Sequence, residues 1–448
     1  MFELVKVPFA LLSGFLVYRA ICNDCNRYLA FAIIAVWLRL MLAAFPQYTV
    51  PSLFAGFSVS ALCSIMVASV GLMMLPPKVL LLRKMAAFYF VYVAIAISGM
   101  LTAHWVGTIS VLVKWCYFLV IANCLILSIR SQGLDHSMKK LLVAFHLPIW
   151  LQILSVLLGH YKDNESDGSV SYIGGYNHES TFSIILVAFM YIVGVIRPGA
   201  MRYRAPLFFL GLILLLLANY RTSLLAVLPI VFIFVFNQVE HRIEKRHKLP
   251  VMILVSAGLA VALVAVSFLM RERFSDIWVL VSNVDSLVKA PVYYTEKEQD
   301  ILSQRVYIWS IYLYNYYAHG SWLNWLFGFG PESWQELFHR YAHNTFISYI
   351  YEYGIVGLSA FLLVNLTMIV QAFRVSDTHL SRTTFYTLLG FMLMNMSTMP
   401  LWNVEGLIFY AILVATIVGA REPGWERYIL RHKFQQPANS QSSRNVHV

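Results

Sequence analysis

The chain has 448 residues, of which 59% are hydrophobic and only 12% are charged, and its mean hydropathy is +0.68. A soluble domain carries about twice that charged fraction, so the composition excludes a soluble globular protein and indicates a polytopic membrane protein. The net charge of +11 collects in short loops between apolar segments, which argues against a nucleic-acid-binding surface.

Apolar segments close to the roughly 20 residues that a bilayer requires recur along the chain. They predict an all-α, polytopic membrane helical bundle of 12–13 spans with one large loop on the outside. Lys6 and Arg19 shorten the first segment, and if that segment is re-entrant twelve spans remain. The segments lie near 4–20, 28–45, 52–75, 85–101, 108–128, 140–159, 179–196, 205–219, 221–237, 251–270, 344–371, 383–400 and 404–420.

Loops rich in Lys and Arg alternate with neutral loops between these segments. Basic loops follow the third, fifth, seventh, ninth and eleventh segments, and basic loops stay in the cytoplasm. The resulting division gives transmembrane helices 1–10 over residues 1–270 and an outside loop with interfacial helices over 271–343. The C-terminal transmembrane helices then cover 344–420, and 421–448 form a cytoplasmic tail.

Two segments, 205–219 and 221–237, form one apolar run broken at Asn219-Tyr220-Arg221. Both flanking loops are strongly basic, so the run must cross the membrane twice and turn at the outer surface. Arg221 in that turn either contacts lipid headgroups by extending its side chain or serves a functional site.

The large outside loop changes character along its length. It is charged as far as Asp300, and from Ser303 it becomes dense in aromatic residues, which predicts a helix lying in the membrane interface. The stretch Trp322–Trp334 predicts a short hairpin turned at Gly328-Phe329-Gly330-Pro331.

The loop ends in the stretch Tyr341–Leu358, YAHNTFISYIYEYGIVGL, where His343 and Asn344 precede a long apolar helix that contains Glu352. Polar groups at the mouth of a membrane helix are costly to keep, which favours a functional site. Helix capping and an interfacial histidine explain the same residues without catalysis. Gly354 and Gly357 would allow a neighbouring backbone to come close.

Charged and imidazole side chains collect on the predicted outer face. Several arginines on one face favour an anionic, phosphate-bearing ligand, because a guanidinium binds phosphate oxygens in pairs. A helix N-terminus near His343 would keep its imidazole neutral and able to accept a proton. For Arg271 and Arg273, contact with anionic headgroups is an equal explanation. The set is Arg221, Arg271, Arg273, Arg305, His343, His178 and Glu179.

Other reaction classes lack a signature in this sequence. No Asp-x-Asp pair occurs, and the acidic stretch 160–167 is typical of a solvated turn, so we expect no metal and no cofactor. The five cysteines form no disulfide framework. Nothing matches a phosphate-binding loop or a nucleophilic-serine elbow, which argues against an energy-driven pump.

The residues that remain resemble the bacterial O-antigen ligase and O-antigen (exopolysaccharide) polymerase superfamily. The resemblance covers roughly residues 170–420. Its motifs are Arg221 in NYRTSLLA, Arg305 in SQRVYIW, Gly328 and Gly330, and then His343, Asn344, Glu352, Gly354 and Gly357.

The superfamily is similar to C-type glycosyltransferases, and this resemblance implies a multi-pass enzyme of the bacterial inner membrane with its active site facing the periplasm. Arg221 and Arg305 would then hold the diphosphate of a polyprenyl-diphosphate-linked glycan, and His343 would activate the acceptor hydroxyl; these three are the expected catalytic residues. Arg271, Arg273, His178, Glu179, Asn344 and Glu352 are the expected substrate-binding residues. Implied partners are the lipid-linked glycan, membrane lipids, and a chain-length regulator and a flippase of the same pathway, with no nucleic acid.

Three functions remain open at this point. The stretch Gly174–Ser180 resembles polymerases of exopolysaccharide and capsule systems, whereas a ligase would transfer glycan to the lipid A–core of lipopolysaccharide. A flippase or secondary transporter of the same lipid also explains a basic outer face. Transporters tend to carry charge at the membrane midplane, and here the interiors of the spans are nearly free of charge, with Arg39, Lys114 and Glu405 as exceptions.

Overall fold

The computed structural model describes residues 2–54, 56–163, 170–269, 282, 289–301, 304–338 and 340–420, and these are almost entirely helical. A helix lies in each of the thirteen apolar segments, so the predicted all-α bundle is confirmed. The helices are α1 (Phe2–Cys22), α2 (Arg27–Ala44), α3 (Pro46–Thr49), α4 (Val59–Met74), α5 (Pro77–Leu80), α6 (Ala86–Thr102), α7 (Trp105–Gln132), α8 (Leu134–Leu141), α9 (His146–Leu157), α10 (Glu179–Val195), α11 (Arg204–Leu217), α12 (Arg221–Arg242), α13 (Lys245–Leu269), α14 (Glu296–Gln299), α15 (Arg305–Ala318), α16 (Trp322–Phe327), α17 (Trp334–Leu337), α18 (Thr345–Phe373), α19 (Thr378–Ser397) and α20 (Val404–Ala420).

Short elements complete the described part of the chain. Two antiparallel ribbons pair β1 (Ser52–Phe54) with β2 (Phe57–Ser58), and β3 (Lys162–Asp163) with β4 (Val170–Ser171). Single 3-10 turns lie at Arg83–Met85, Leu142–Phe145, Pro291–Tyr293 and Pro400–Trp402. All of them lie between helices, so the bundle itself contains no sheet layer within the residues described.

Within the described residues, seven helical runs are long and apolar enough to cross a bilayer. They are Phe2–Cys22, Arg27–Ala44, Arg83–Thr102, Trp105–Gln132, Leu134–Leu157, Thr222–Arg242 and Thr345–Phe373. Four apolar helices are shorter, namely Val59–Met74, Glu179–Val195, Arg204–Leu217 and Val404–Ala420. The chain is therefore a multi-pass membrane protein, and the exact number of spans stays a prediction.

The first apolar segment forms one uninterrupted helix, α1, of 21 residues. Lys6, which shortened the segment in the sequence, is fully buried within the bundle. Its ammonium donates hydrogen bonds to the carbonyls of Ala44 at 2.7 Å and Gly175 at 3.3 Å, and it pairs with Glu3 at 2.6 Å. Because these groups satisfy the charge, Lys6 does not interrupt the helix.

The centre of the bundle is formed by α7 and α20, which pack along one another. Every residue of α20 up to Gly419 is buried, as expected for a helix that is apolar around its whole circumference. The ring of Phe118 in α7 stacks on Tyr410 in α20 with centroids 5.6 Å apart, and Phe391 of α19 stacks on the same tyrosine at 4.8 Å. This aromatic stack supports α10 and α18, two helices that pack on α20 and begin at the site described below.

The aromatic stretch after Ser303 forms α15, which packs against α18. Its buried face carries Tyr312, whose ring lies 4.2 Å from that of Phe338 and 5.2 Å from that of Tyr351. Its opposite face leaves Tyr314 and Tyr317 exposed. One face on the bundle and one aromatic face outward agree with the predicted amphipathic helix, while its position in the membrane interface stays a prediction.

The predicted glycine hairpin closes against a break in α18. Gly354 has φ +65° and interrupts the helix, and the amides of Phe329 and Gly330 donate to the carbonyls of Tyr351 and Glu352 at 2.9 and 3.0 Å. A Cβ on Gly354 would lie 2.4 Å from the carbonyl carbon of Leu326. The expected close backbone approach is thus found at Gly354, and only a residue without Cβ fits there.

Gly328 is the matching residue on the hairpin, because a Cβ there would lie 2.2 Å from the carbonyl carbon of Glu352. Gly357 faces instead the side chain of Tyr353, one turn back in its own helix, at 2.1 Å for the same added atom. The two glycines of the sequence motif on α18 therefore have different tasks, and only Gly354 receives a neighbouring backbone.

Candidate active site

His343 lies in a bend directly before α18, in the left-handed region with φ +52°. Its ring packs on that of Tyr341 with centroids 3.9 Å apart, and Tyr341 stacks on Trp402 at 5.6 Å. The indole of Trp309 donates to the carbonyl of Ala342 at 2.9 Å, which ties the bend to α15. A non-glycine residue held in this region by its surroundings is typical of functional sites.

Burial and positive charge lower the pKa of His343 to about 3, and the charges belong to Arg305, His178 and Arg340. The imidazole is therefore neutral at neutral pH, as the sequence predicted. The cause differs from the expected helix N-terminus, because burial makes the largest contribution and the nearby cations make the next. A neutral imidazole beside guanidinium groups can accept a proton while the arginines hold an anion.

Arg305 is the first residue of α15, and its positive charge lies close enough to the phenol of Tyr220 to act downward on the pKa of that phenol. Burial nevertheless raises the pKa of Tyr220, so this tyrosine remains a neutral phenol. The side chain of Arg340 donates to the amide oxygen of Gln304 at 2.8 Å, which links the approach to His343 with the start of α15. Arg305 and His343 therefore belong to one site.

Glu179 is the first residue of α10 and is mostly buried. Its carboxylate pairs with Lys162 at 3.1 Å and lies 3.5 Å from Nδ1 of His178. Burial raises the pKa of Tyr341 to about 12. The negative charge of Glu179 also acts to raise the pKa values of Tyr220 and Tyr341. His178 and Glu179 thus lie beside Arg305 and His343. We call this group of residues, with Tyr220, Tyr341 and Arg340, the arginine–histidine site.

Four helices begin at the arginine–histidine site, namely α10, α12, α15 and α18. Among the described residues, the N-cap residues of α10, α12 and α15 make no side-chain cap hydrogen bond, which leaves first-turn amides open to a ligand, apart from that of Ser223, which donates to the carbonyl of Tyr220. Unpaired amides and the positive ends of helix dipoles attract anions. The backbone therefore adds to the positive charge of Arg305 and Arg340.

The remaining predicted site residues stand as follows. Arg221 is the first residue of α12, directly after Tyr220, so its backbone lies at the site; its side chain lies outside the described atoms. Arg271 and Arg273 lie outside the described residues. Asn344 caps α18, with Oδ1 accepting from the amides of Phe346 at 2.9 Å and Ile347 at 3.3 Å. Its contact with substrate stays a prediction.

Glu352 lies inside α18 and is almost fully buried. Its carboxylate accepts hydrogen bonds from the amide of Glu332 at 2.8 Å, the hydroxyl of Ser348 and the phenol of Tyr353 at 3.3 Å. These contacts hold the glycine hairpin on α18. A substrate contact of Glu352 stays a prediction.

The arginine–histidine site opens onto a second feature, a cavity of about 540 Å³ that we call the central cavity. Tyr341 and His178 line both, and the three interior charges noted in the sequence all line the cavity. Arg39 pairs with Glu405 at 2.7 Å, and Lys114 pairs with Glu332 at 2.7 Å. Ionisable residues within membrane spans usually mark a functional path, and these face a hollow beside His343.

Residues 206–362 match the family model described as O-antigen ligase. This part of the chain belongs to the O-antigen ligase superfamily. The predicted superfamily resemblance is thereby confirmed, over a narrower range than the sequence motifs suggested. No curated protein matches the chain.

The O-antigen ligase segment contains Arg221, Arg305 and His343, whereas His178 and Glu179 precede it. The fold therefore brings a part of the chain outside the family match to the arginine–histidine site. The family makes the protein a glycosyltransferase-type membrane enzyme. Among the described residues, no group of three or more His, Cys, Asp or Glu side chains could hold a metal ion.

Sequence reasoning missed Tyr220, Tyr341, Arg340 and Lys162. Three of these residues stand next to predicted ones: Tyr220 precedes Arg221, and Arg340 and Tyr341 precede His343 by three and two positions. Sequence neighbourhood could have suggested those three. Lys162 carries no such signal, because only the fold brings the ribbon β3–β4 to the start of α10.

Proposed function

We propose that the protein is a polysaccharide polymerase, which transfers glycan from a polyprenyl-diphosphate carrier to a second lipid-linked repeat at the periplasmic membrane face without a metal. The observation that carries this proposal is the meeting of Arg305 and neutral His343 where uncapped helix N-termini converge. A diphosphate leaving group needs fixed positive charge and donors, and an acceptor hydroxyl needs a base. The site offers both within one cluster.

The reaction is a single displacement. An acceptor hydroxyl oxygen attacks C1 of the donor sugar and forms the new glycosidic bond. The bond between C1 and the diphosphate oxygen breaks, and its electron pair leaves with the diphosphate. His343 receives the hydroxyl proton, while Arg305 and the helix amides stabilise the growing negative charge. C1 is inverted. Glu179 is already paired with Lys162, which disfavours a second role as the nucleophile of a double displacement.

The central cavity supports a reaction with two bulky substrates. Transfer between two lipid-linked sugars requires that donor and acceptor both reach His343, and this cavity meets the arginine–histidine site at Tyr341 and His178. Its walls combine apolar side chains with hydrogen-bonding ones such as Asn177 and Asn403, which suits a saccharide attached to a lipid. A lipid A–core acceptor, as in a ligase, has the same general chemistry.

A deletion strain separates the candidate functions. Glycan limited to a single repeat in the strain would establish a polymerase, and full-length polymer retained on its carrier would establish a ligase instead. Loss of all outward-facing lipid-linked glycan would indicate a flippase. Complementation with His343→Ala should fail, whereas His319→Ala, which changes an exposed histidine of the same loop, should restore wild-type glycan. Normal polymer from His343→Ala would overturn the assignment of His343.

Metal removal tests the proposed chemistry directly. We expect purified protein to keep its transfer rate in EDTA, because Arg305 and the helix amides supply the positive charge that a metal would otherwise give. Activity that EDTA abolishes and that added Mg²⁺ or Mn²⁺ restores would contradict the metal-free mechanism.

A further inference from the structure

A second cavity, of about 650 Å³, lies at the end of α18 remote from His343. It is enclosed by the last turns of α18 and by the segment 78–84 that connects α4 with α6. We call it the basic cavity. Its apolar wall consists of Leu81, Leu82, Leu366 and Val370. The side chain of Gln371 donates to the carbonyl of Lys84 at 3.0 Å and joins the two walls.

The charged side chains that line the basic cavity within the described part of the chain are basic. Lys78, Arg83, Lys84 and Arg374 line it, and its described lining includes no Asp or Glu. Lys78, Arg83 and Arg374 bring three like charges to one hollow, and an anion between them would offset their mutual repulsion. The lining therefore favours an anionic ligand.

The position of the basic cavity along α18 indicates which kind of anion it would bind. The helix α18 has 29 residues, which corresponds to about 40 Å at 1.5 Å per residue, close to the thickness of a bilayer with its headgroups. His343 precedes the first residue of α18 and Arg374 follows the last. The basic cavity is therefore at headgroup level in the leaflet opposite to the arginine–histidine site.

Apolar surface continues from the basic cavity onto the outside of the bundle. Leu81 is 79% exposed, and Leu366 and Phe373 are about equally exposed at 59% and 61%. A small inorganic anion needs no such surface, whereas an acyl chain does. Basic pockets between membrane helices with apolar flanks are typical of sites for anionic lipid headgroups.

We propose that the basic cavity binds an anionic diacyl phospholipid, with its phosphodiester between Lys78, Arg83 and Arg374 and an acyl chain along Leu366 and Val370. The lipid joins the segment 78–84 to the end of α18. This site is separate from the glycosyl-transfer chemistry, and it rests on the bilayer-spanning fold rather than on the proposed function.

The test is native mass spectrometry of the full chain released from detergent containing phosphatidylglycerol or phosphatidylcholine. We expect wild-type protein to retain one phosphatidylglycerol and no phosphatidylcholine. The triple variant K78Q/R83Q/R374Q should bind phosphatidylglycerol at least about tenfold more weakly, because each cation near a headgroup contributes to binding. Retention of both lipids alike would overturn the proposal.

A matched triple variant controls for general charge. K139Q/R202Q/R242Q also removes three exposed cations, and none of these lines the basic cavity, so it should bind phosphatidylglycerol like the wild type. Thr367→Trp keeps all charges but fills the cavity beside Leu366, and it should also lose the lipid. Equal loss in both triple variants would show that net charge alone attracts lipid, and would contradict the proposal.

Inorganic phosphate distinguishes a lipid site from a simple anion site. A large molar excess of phosphate should leave the retained phosphatidylglycerol in place, because phosphate lacks the acyl contacts. Displacement of the lipid by phosphate would mean that the cavity recognises the anion alone, and the lipid assignment would fall. Transfer by K78Q/R83Q/R374Q in phosphatidylglycerol-free detergent should match the wild type, which separates this test from that of the proposed function.

Discussion

Arg305 is the residue whose loss should affect turnover most clearly, since its guanidinium lies beside both His343 and Tyr220. We expect Arg305→Ala to lower kcat/KM for glycan transfer by about 10²–10³, the usual effect of removing one donor to a developing oxyanion. Arg305→Lys should recover part of the loss, because an ammonium keeps the charge but not the forked donors.

Assays of the purified wild type and Arg305 variants at varied donor concentration give the kcat/KM values to compare. Arg242→Ala, at the far end of α12, is the control and should retain wild-type kinetics. Arg305→Ala with unchanged kcat/KM would exclude a role in the reaction.

The pKa of His343 leads to an expectation for pH dependence. Transfer requires the neutral imidazole, which is lost as pH falls through the pKa. In the free protein that pKa is about 3, so kcat/KM should show no acid limb from His343 between roughly pH 5 and 8. A bound diphosphate offsets the charges of Arg305 and Arg340, raises the pKa, and should move the acid limb of kcat to higher pH.

Measuring kcat/KM and kcat as functions of pH compares the pKa of His343 in the free and the substrate-bound protein. Arg340→Gln should shift the acid limb of kcat further toward neutral pH, because it removes one of the cations that lower the pKa. An acid limb of kcat/KM near the unperturbed histidine value of about 6.5 would contradict the buried, cation-flanked imidazole.

Individual residues differ in how far the sequence revealed their roles. His343 was singled out because polar residues are rare at the mouth of a long apolar helix, and Arg305 because it is one of several arginines on the outer face and lies in a superfamily motif; their catalytic roles stay predictions. Asn344 and Glu352 were equally visible, yet the fold uses one as a helix cap and the other as an anchor for the hairpin. Sequence position shows that such a side chain has a task, whereas only its contacts in the fold show which task.

At the level of elements, the glycine hairpin and the break in α18 depend on each other. We expect Gly354→Ala to lower the free energy of unfolding by about 1–3 kcal/mol and to lower the melting temperature accordingly. Alanine is strained at φ +65°, and its Cβ would meet the backbone of Leu326. Transfer should fall as well, since the hairpin and His343 belong to the same loop.

Gly258→Ala is the matched control for this prediction. Gly258 lies inside α13, and a Cβ there would meet nothing within 4 Å. It should keep or slightly raise the melting temperature in detergent, because alanine favours a helix over glycine. Equal melting temperatures for Gly354→Ala and the wild type would contradict the tight approach of hairpin and helix.

The elements themselves were largely predictable, because long apolar segments have few alternatives to a helix in a bilayer. Each of the thirteen segments contains a helix. The break at Gly354 was not predicted, since a single glycine is compatible with an intact membrane helix. It arises from the tertiary contact with Leu326, which is 28 positions earlier in the chain.

At the scale of the whole molecule, the fold assembles charges that are isolated in the sequence. Arg39 and Glu405 stand 366 positions apart in different helices, yet they form one ion pair at the wall of the central cavity. Hydropathy alone marks each as an interruption of a span and cannot match one with the other. The cavity beside His343 therefore could not be predicted, although all three of its interior charges had been noted.

This ion pair allows a structural role to be separated from a functional one. Arg39→Met leaves the buried carboxylate of Glu405 without its partner and should cost about 3–5 kcal/mol of stability. The double variant Arg39→Met/Glu405→Gln removes both charges and should regain most of the melting temperature. If the central cavity receives the acceptor, transfer should nevertheless remain low in the double variant, with a raised KM for the acceptor and an unchanged KM for the donor. Recovery of transfer together with stability would show that the pair serves folding alone.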